Sequence, residues 1–184
     1  MQNFDHFGAM LDCSRGAVLK VDAVKKMASL LKKMGYDTLL LYTEDTYSIP
    51  SEPYFGYLRG RYSLEEIKEI DAYCHEEAIE LIPCIQTLAH LNGISRWGHF
   101  EKVFDCQDVL LVDAPETYEL IDKMFASIEE AFSSRQVHIG MDETFALGLG
   151  RYVREHGYSK PIDLYLRHLA KVVEIAAKHG FTPM

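Results

Sequence analysis

Four times along this chain an apolar, strand-like run is followed by a segment with helical spacing, and that alternation constrains the fold more than any other feature. Phe7–Cys13 is mostly apolar until Asp12, as expected of a strand covered on both faces. From about Lys20 to Met34, Val24, Met27, Leu31 and Met34 recur at helical spacing, and Gly35 supplies the stop. Thr38–Tyr42 reads as the second strand. Ser63-Leu64-Glu65-Glu66 is a capping box opening a second helix, with Ile67, Ile70 and Cys74 inward. Glu80–Ile85 is the third strand. A third helix runs from Pro115, at its first turn, to Phe132, with Tyr118, Ile121, Phe125, Ile128 and Phe132 on one face. Val137–Met141 is the fourth strand, and a fourth helix over about Ile162–Lys178 turns Leu166, Leu169, Val173 and Ala176 inward.

Strand-helix alternation is the pattern of a parallel α/β protein. Met34-Gly35-Tyr36-Asp37-Thr38 is echoed by His179-Gly180-Phe181-Thr182, which implies a repeating unit and a fifth strand starting at Phe181. A complete (β/α)8 barrel takes about 250 residues. Four long units fill all 184 residues here, so the expected fold is the first half of a TIM-type barrel, residues 1–184 being part of a longer chain.

The net charge of -9, from 19 basic against 28 acidic residues, argues against nucleic acid or an anionic membrane as partner. Four cysteines without CxxC spacing read as reduced thiols, three of them buried, in a cytosolic protein. Met1–His6 has neither a basic region nor an apolar core, and no run approaches a membrane span. A cytoplasmic location is therefore expected, provided that Met1 is the natural start.

The unusual polar residues all fall at strand C-termini: Asp12 and Arg15, Glu44 and Asp45, His90, and Asp142 with Glu143. That edge carries the ligand site in barrels and in doubly wound sheets alike. Val137-His138-Ile139-Gly140-Met141-Asp142-Glu143-Thr144 runs from an apolar strand into two adjacent carboxylates. Inside a buried strand one of them would be desolvated at high cost. Past the strand end both can serve one pocket, and paired carboxylates in unlike surroundings supply one acid and one orienting anion. The plainer alternative is a loop with two solvated acids. The segment 46–62 carries Tyr47, Tyr54, Phe55, Tyr57 and Tyr62 and is either a packed Ω-loop or a binding wall. Its departure from the same strand edge as the acids favours the wall. The least regular region, 91–112, holds the sole tryptophan, Trp97.

His138-x-Gly140-x-Asp142-Glu143 resembles the active-site signature of glycoside hydrolase family 20, the β-N-acetylhexosaminidases. The likeness extends through Gly8–Arg15, Leu41–Tyr47 and Ile82–His90 and is strongest to the hexosaminidase D-like branch. It implies a TIM-type catalytic barrel and exo-acting removal of terminal β-linked N-acetylhexosamine by substrate-assisted retention. It implies that Asp142 orients the substrate's acetamido group, and that an ionised Asp142 stands beside a Glu143 of raised pKa, the proton donor. Glu44 and His90 form a relay to Glu143, and His138 supports the pair from within the strand. Asp12, Arg15, Asp45 and Trp97 line the sugar, while a tyrosine and tryptophans from strands five to eight close the N-acetyl pocket. For His90 the alternative is a core histidine satisfied by backbone, and for Asp12 and Arg15 a local ion pair. Many members place an arginine before the glycine of strand one to clamp the sugar's 3- and 4-hydroxyls, but Phe7 stands there, so the gluco/galacto preference is open. His90, His138, Asp142 and Glu143 could ligate a metal, as in a metal-dependent hydrolase, but HxH and HExxH spacings are lacking and no cofactor is expected. The rival of another class is a non-catalytic sugar-binding module. The open edges of a half barrel are expected to drive self-association.

Overall fold

The computed structural model describes residues 6–184. The reading of the first five residues as lacking a leader lies outside the described residues. In chain order come β1 (Gly8–Asp12), α1 (Val21–Lys33), β2 (Thr38–Tyr42), α2 (Leu64–Glu76) and β3 (Glu80–Cys84). A helical turn, α3 (Asn92–Ser95), a 3-10 segment (Gly98–Val103) and an antiparallel pair, β4 (Phe104–Cys106) and β5 (Val109–Leu110), fill the least readable stretch. Then follow α4 (Pro115–Ala131), β6 (Gln136–Val137), α5 (Arg151–His156), α6 (Pro161–Lys178) and β7 (Thr182–Pro183).

β1, β2 and β3 pair in parallel with Gly8, Thr38 and Glu80 in one row. Cys84 bridges in parallel to His138 just past β6, and β6 pairs in parallel with β7. The spatial order β1-β2-β3-β6-β7 therefore follows the sequence without reversal. A doubly wound sheet reverses its strand order at a switch point, so the order selects the barrel pattern. The fifth strand expected at Phe181 is β7.

The crossover helices pack side by side, α1 on α2, α2 on α4 and α4 on α6. They cover one face of the sheet, where Leu39, Leu41, Leu81 and Val137 are buried. The opposite face is open. Met10 is 50% exposed there, and with Leu40, Ile82, Gln136 and Met184 it lines a cleft of about 370 Å³. Exposure alternates along β1, so the expectation of a strand covered on both faces is corrected. The Ser63–Glu66 capping box forms as read: Ser63 Oγ accepts from the Glu66 N–H at 3.1 Å, and Glu66 Oε2 from the Ser63 N–H at 2.8 Å.

Two helical faces differ from the spacing. On α1, Met34 caps the helix and is exposed. On α6 the buried line is Leu164, His168, Val172 and Ala176, while Leu166 and Val173 face outward. His168 is the reason the line was missed. It is fully buried, its Nε2 lies 2.8 Å from the Thr87 carbonyl, and burial pulls its pKa down to about 4, so it packs as a neutral ring. Among the described residues, no helix is long and apolar enough to cross a membrane.

Candidate active site

The strand register sets Asp12, Tyr42, Cys84 and His138 in one row on the open face. Immediately past that row the chains turn, and their side chains crowd the C-terminal edge. Thr87 ties the turn after β6 to β3: its N–H donates to the Gly140 carbonyl at 2.9 Å and its hydroxyl to the Ile139 carbonyl at 2.8 Å. Gly140 has φ +50°, and a Cβ there would collide with the Ile85 carbonyl and the Gln86 amide. Only glycine fits, and its turn delivers Asp142 and Glu143 across the end of β3. His90 (φ +60°) and Glu143 (φ +54°) are also left-handed. Such strain costs on the order of 1–3 kcal/mol per residue and concentrates where function holds the backbone in place.

His90 Nε2 lies 3.5 Å from Asp142 Oδ2 and 3.5 Å from Glu143 Oε2, so the imidazole stands between the two acids. The acids' side chains are 60% and 61% exposed on the open face. Their surroundings are unlike. Asp142 Oδ1 accepts from Gln86 Nε2 at 3.2 Å, whereas no hydrogen bond to the Glu143 side chain exists among the described residues. Burial pushes the Asp142 pKa upward, but the Gln86 donor, its own backbone N–H and the nearby His90 and His138 together hold it below the usual value.

Glu44 departs from the expected relay. It accepts from Ser14 Oγ at 2.7 Å and from Tyr42 Oη at 3.0 Å and lies 3.8 Å from Arg59, and no hydrogen bond joins it to His90. Gln86 Nε2 also donates to Tyr42 Oη at 3.1 Å. Glu44 thus reaches the acid pair through Tyr42 and Gln86, on the Asp142 side. His138 accepts from the Gly140 N–H at 3.3 Å through Nδ1, inside the strand edge.

Asp12 and Arg15 form the local ion pair, at 2.7 Å, and Asp12 Oδ1 also accepts from the Ser14 and Arg15 N–H groups. Arg15 lies over the Tyr42 ring, 5.0 Å from its centroid. Asp45 is fully buried rather than facing a ligand, paired with Arg59 Nε at 3.1 Å and packed against Gly93. Its pKa is raised by burial, with Arg59 opposing. Trp97 is partly buried, with Tyr54 and Tyr57 at 5.7 and 5.4 Å between ring centroids. The aromatic loop divides between core and surface. Tyr47, Phe55 and Tyr62 are core, while Tyr54 and Tyr57 are exposed.

Sequence reasoning missed Ser14, Tyr42, Arg59 and Gln86. For Tyr42 the signal was strand parity, since it shares the open-face row with Asp12 and Cys84. Gln86 had a fainter one, two residues beyond Cys84. Among the described residues no group of three or more His, Cys, Asp or Glu could hold a metal ion. The Cys84 thiol, pushed to about 12 by burial and then by Asp142, is uncharged at neutral pH and no nucleophile.

The model of the glycosyl hydrolase family 20 catalytic domain matches residues 4–162. The chain belongs to that family. Hexosaminidase D of Bos taurus is 28% identical over 170 residues, covering 86% of this chain and 48% of the bovine protein. Hexosaminidase D of Homo sapiens is 30% identical over 146 residues, covering 76% and 30% respectively. The chain spans less than half the length of these relatives. Among solved structures, the family 20 exo-β-N-acetylglucosaminidase of Vibrio harveyi superposes with a TM-score of 0.83 at 22% identity, over 98% of this chain and 35% of that one. The Streptomyces plicatus β-hexosaminidase gives 0.81 at 23%, over 98% and 38%. The fold is that of a family 20 catalytic domain, a TIM-type barrel.

In this family 20 chain the segment after Glu143 is anchored by a residue outside the motif. Asp105, 5% exposed, accepts from the Gly148, Gly150 and Tyr152 N–H groups at 2.9, 3.4 and 2.6 Å. Removing the carboxylate strands three buried donors, each worth about 1–3 kcal/mol. Asp105→Ala is expected to lower stability by ~3 kcal/mol or more, with Asp105→Asn, which keeps one acceptor oxygen, losing less. The urea midpoint at unchanged slope measures it; equal midpoints for Asp105→Ala and the parent would show the anchor to be idle.

Proposed function

We propose that residues 1–184 are the N-terminal half of a family 20 barrel, its first four βα units, and that the longer protein is an exo-acting β-N-acetylhexosaminidase. It removes terminal β-linked N-acetylglucosamine or N-acetylgalactosamine from a glycan or glycoconjugate by substrate-assisted retaining hydrolysis. The observation that carries this reading is the unlike pair of carboxylates converging on His90, with Asp142 pinned by Gln86 and Glu143 unbound. An ionised, oriented Asp142 accepts the acetamide N–H. The acetamide carbonyl oxygen then attacks the anomeric carbon while Glu143 protonates the departing glycosidic oxygen. In the second step Glu143 takes a proton from the water that opens the oxazolinium-type intermediate. His90, beside both acids, moderates their charges as they change. Asp12, Arg15 and Trp97 stand at the rim as sugar contacts. Asp45 supports the rim through Arg59, and Glu44 supports Asp142 through Tyr42 and Gln86.

The net charge of -9 speaks against nucleic acid or an anionic membrane as partner. The free cysteines, three of them buried, suit the cytoplasm. A second reading, a self-assembling half-barrel module that binds sugar without cleaving it, draws on the open sheet face at Met10 and Met184. The two separate on one comparison. The longer protein is expected to release the aryl group from an aryl 2-acetamido-2-deoxy-β-glucoside and not from the matching β-glucoside, which has no acetamido nucleophile. Equal rates on both would exclude substrate assistance, and no turnover of either would leave the binding module standing.

A further inference from the structure

We infer that Gln86 is a positioning residue for Asp142: its carboxamide, braced by Tyr42 and Glu44, holds one carboxylate oxygen and leaves the other beside His90 and Glu143. The inference rests on the hydrolase reading above. Gln86 is fully buried, and its Nε2 reaches two oxygens, Tyr42 Oη at 3.1 Å and Asp142 Oδ1 at 3.2 Å. The direction of every proton in the chain is fixed. The Glu44 carboxylate can only accept, and takes the hydroxyls of Ser14 and Tyr42. Tyr42, having given its proton to Glu44, offers a lone pair to the first Gln86 N–H. The second N–H goes to Asp142.

Turning the amide over would set two oxygens face to face at Asp142. Gln86 Oε1 packs against Gly140, where no side chain can stand. In its present sense Oε1 is buried without a donor. A buried acceptor without a partner is rare and costly. Gln86 bears that cost while both of its N–H groups are committed to the line that ends on Asp142. A glutamine serving packing alone would gain by becoming apolar, since an apolar side chain leaves no buried acceptor unpaired.

The groups facing Asp142 are His90 from the turn after β3, His138 and Cys84 from the open-face row, and Glu143 beside it in sequence. His90 and His138 favour its ionised form, and so does the Gln86 donor. Withdrawing the Gln86 N–H therefore frees the rotamer and makes Asp142 easier to protonate.

The test uses the longer protein and a fluorogenic β-N-acetylglucosaminide, with kcat and KM measured across pH for Gln86→Met, Gln86→Glu, Tyr42→Phe and Asp142→Ala. Gln86→Met is expected to lower kcat by up to about 100-fold, the cost of misplacing a reacting group by about 1 Å, with KM little changed. The acidic limb of kcat/KM should move to higher pH. Gln86→Glu should move it further, since two adjacent carboxylates oppose each other's ionisation. Tyr42→Phe should act in the same direction more weakly, and the double variant Gln86→Met/Tyr42→Phe should lose little more than Gln86→Met alone. Should Gln86→Met fail to fold, Gln86→Glu and Tyr42→Phe carry the same test. Acidic limbs that stay in place, or additive losses, would overturn the inference. Asp142→Ala and the parent separate the levels. Undiminished turnover in that variant overturns the orienting role of Asp142 on which the inference rests, absence of turnover in the parent overturns the hydrolase reading, and an inactive Asp142→Ala beside a near-normal Gln86→Met overturns the role of Gln86 alone.

Discussion

Glu143→Gln in the longer protein is expected to cut hydrolysis of substrates with ordinary sugar leaving groups by about 10²–10⁴-fold, the usual worth of a positioned general acid. The amide keeps the side chain's shape and cannot give up the proton. Little in the fold should change, because the Glu143 side chain is 61% exposed and accepts no hydrogen bond among the described residues, the His90 ring standing 3.5 Å away. The left-handed backbone at Glu143 is set by the turn and not by the carboxylate, so the variant inherits it. An aryl substrate whose leaving group departs as a stable anion needs little protonation and should lose much less. That difference between leaving groups is the signature. A mild loss of equal size on both kinds of substrate would take Glu143 out of the acid's role.

How far the sequence carried the fold depended on what each signal was made of. The parallel strands and their crossover helices were legible because apolar periodicity and the Ser63–Glu66 capping box are local properties of the chain. The fifth strand was legible through the repeated helix-glycine-aromatic turn. The buried face of α6 was not, because a neutral, hydrogen-bonded His168 sits at the centre of a line that pattern reading requires to be apolar. Leu166 and Val173, which do look like core, instead lie on a face without a partner among the described residues. The motif residues Asp142, Glu143 and His90 were legible, and they come together at the strand edge. Their wiring was not. Whether Glu44 meets His90, 46 positions further on, or Tyr42, two positions before it, is decided by side-chain reach within one crowded layer. Tyr42 and Gln86 were missed for the same reason: a tyrosine or glutamine near a strand end is unremarkable until the register shows which acid it faces.

The 184-residue chain by itself is expected to turn over a fluorogenic N-acetylglucosaminide poorly or not at all, and to self-associate at micromolar concentration. Both expectations come from the open face of the sheet. Asp142 and Glu143 stand largely exposed there, above a cleft whose lining includes Met10 and Met184, each 50% exposed. Substrate assistance depends on holding the acetamido group against the anomeric carbon, and such positioning is worth about 7–11 kcal/mol in favourable cases. The described residues offer one side of that pocket: the acids, His90 and the Asp12 rim. Trp97, the sole tryptophan of the sequence, packs on Tyr54 and Tyr57 of the loop after β2, so it can add one contact at the rim but not a wall of tryptophans. Association follows from the same exposure, since among the described residues β1 pairs along one edge alone, with β2, and open edges and bare apolar faces invite a second copy. Such a pair would repeat the acid-bearing side instead of supplying the missing wall, so association should not restore activity. Light scattering and turnover on the purified chain, beside its Asp142→Ala variant, check both. Robust turnover that vanishes in the variant would mean that this side of the barrel suffices for the chemistry, and a stable monomer would count against the half-barrel reading of the open face.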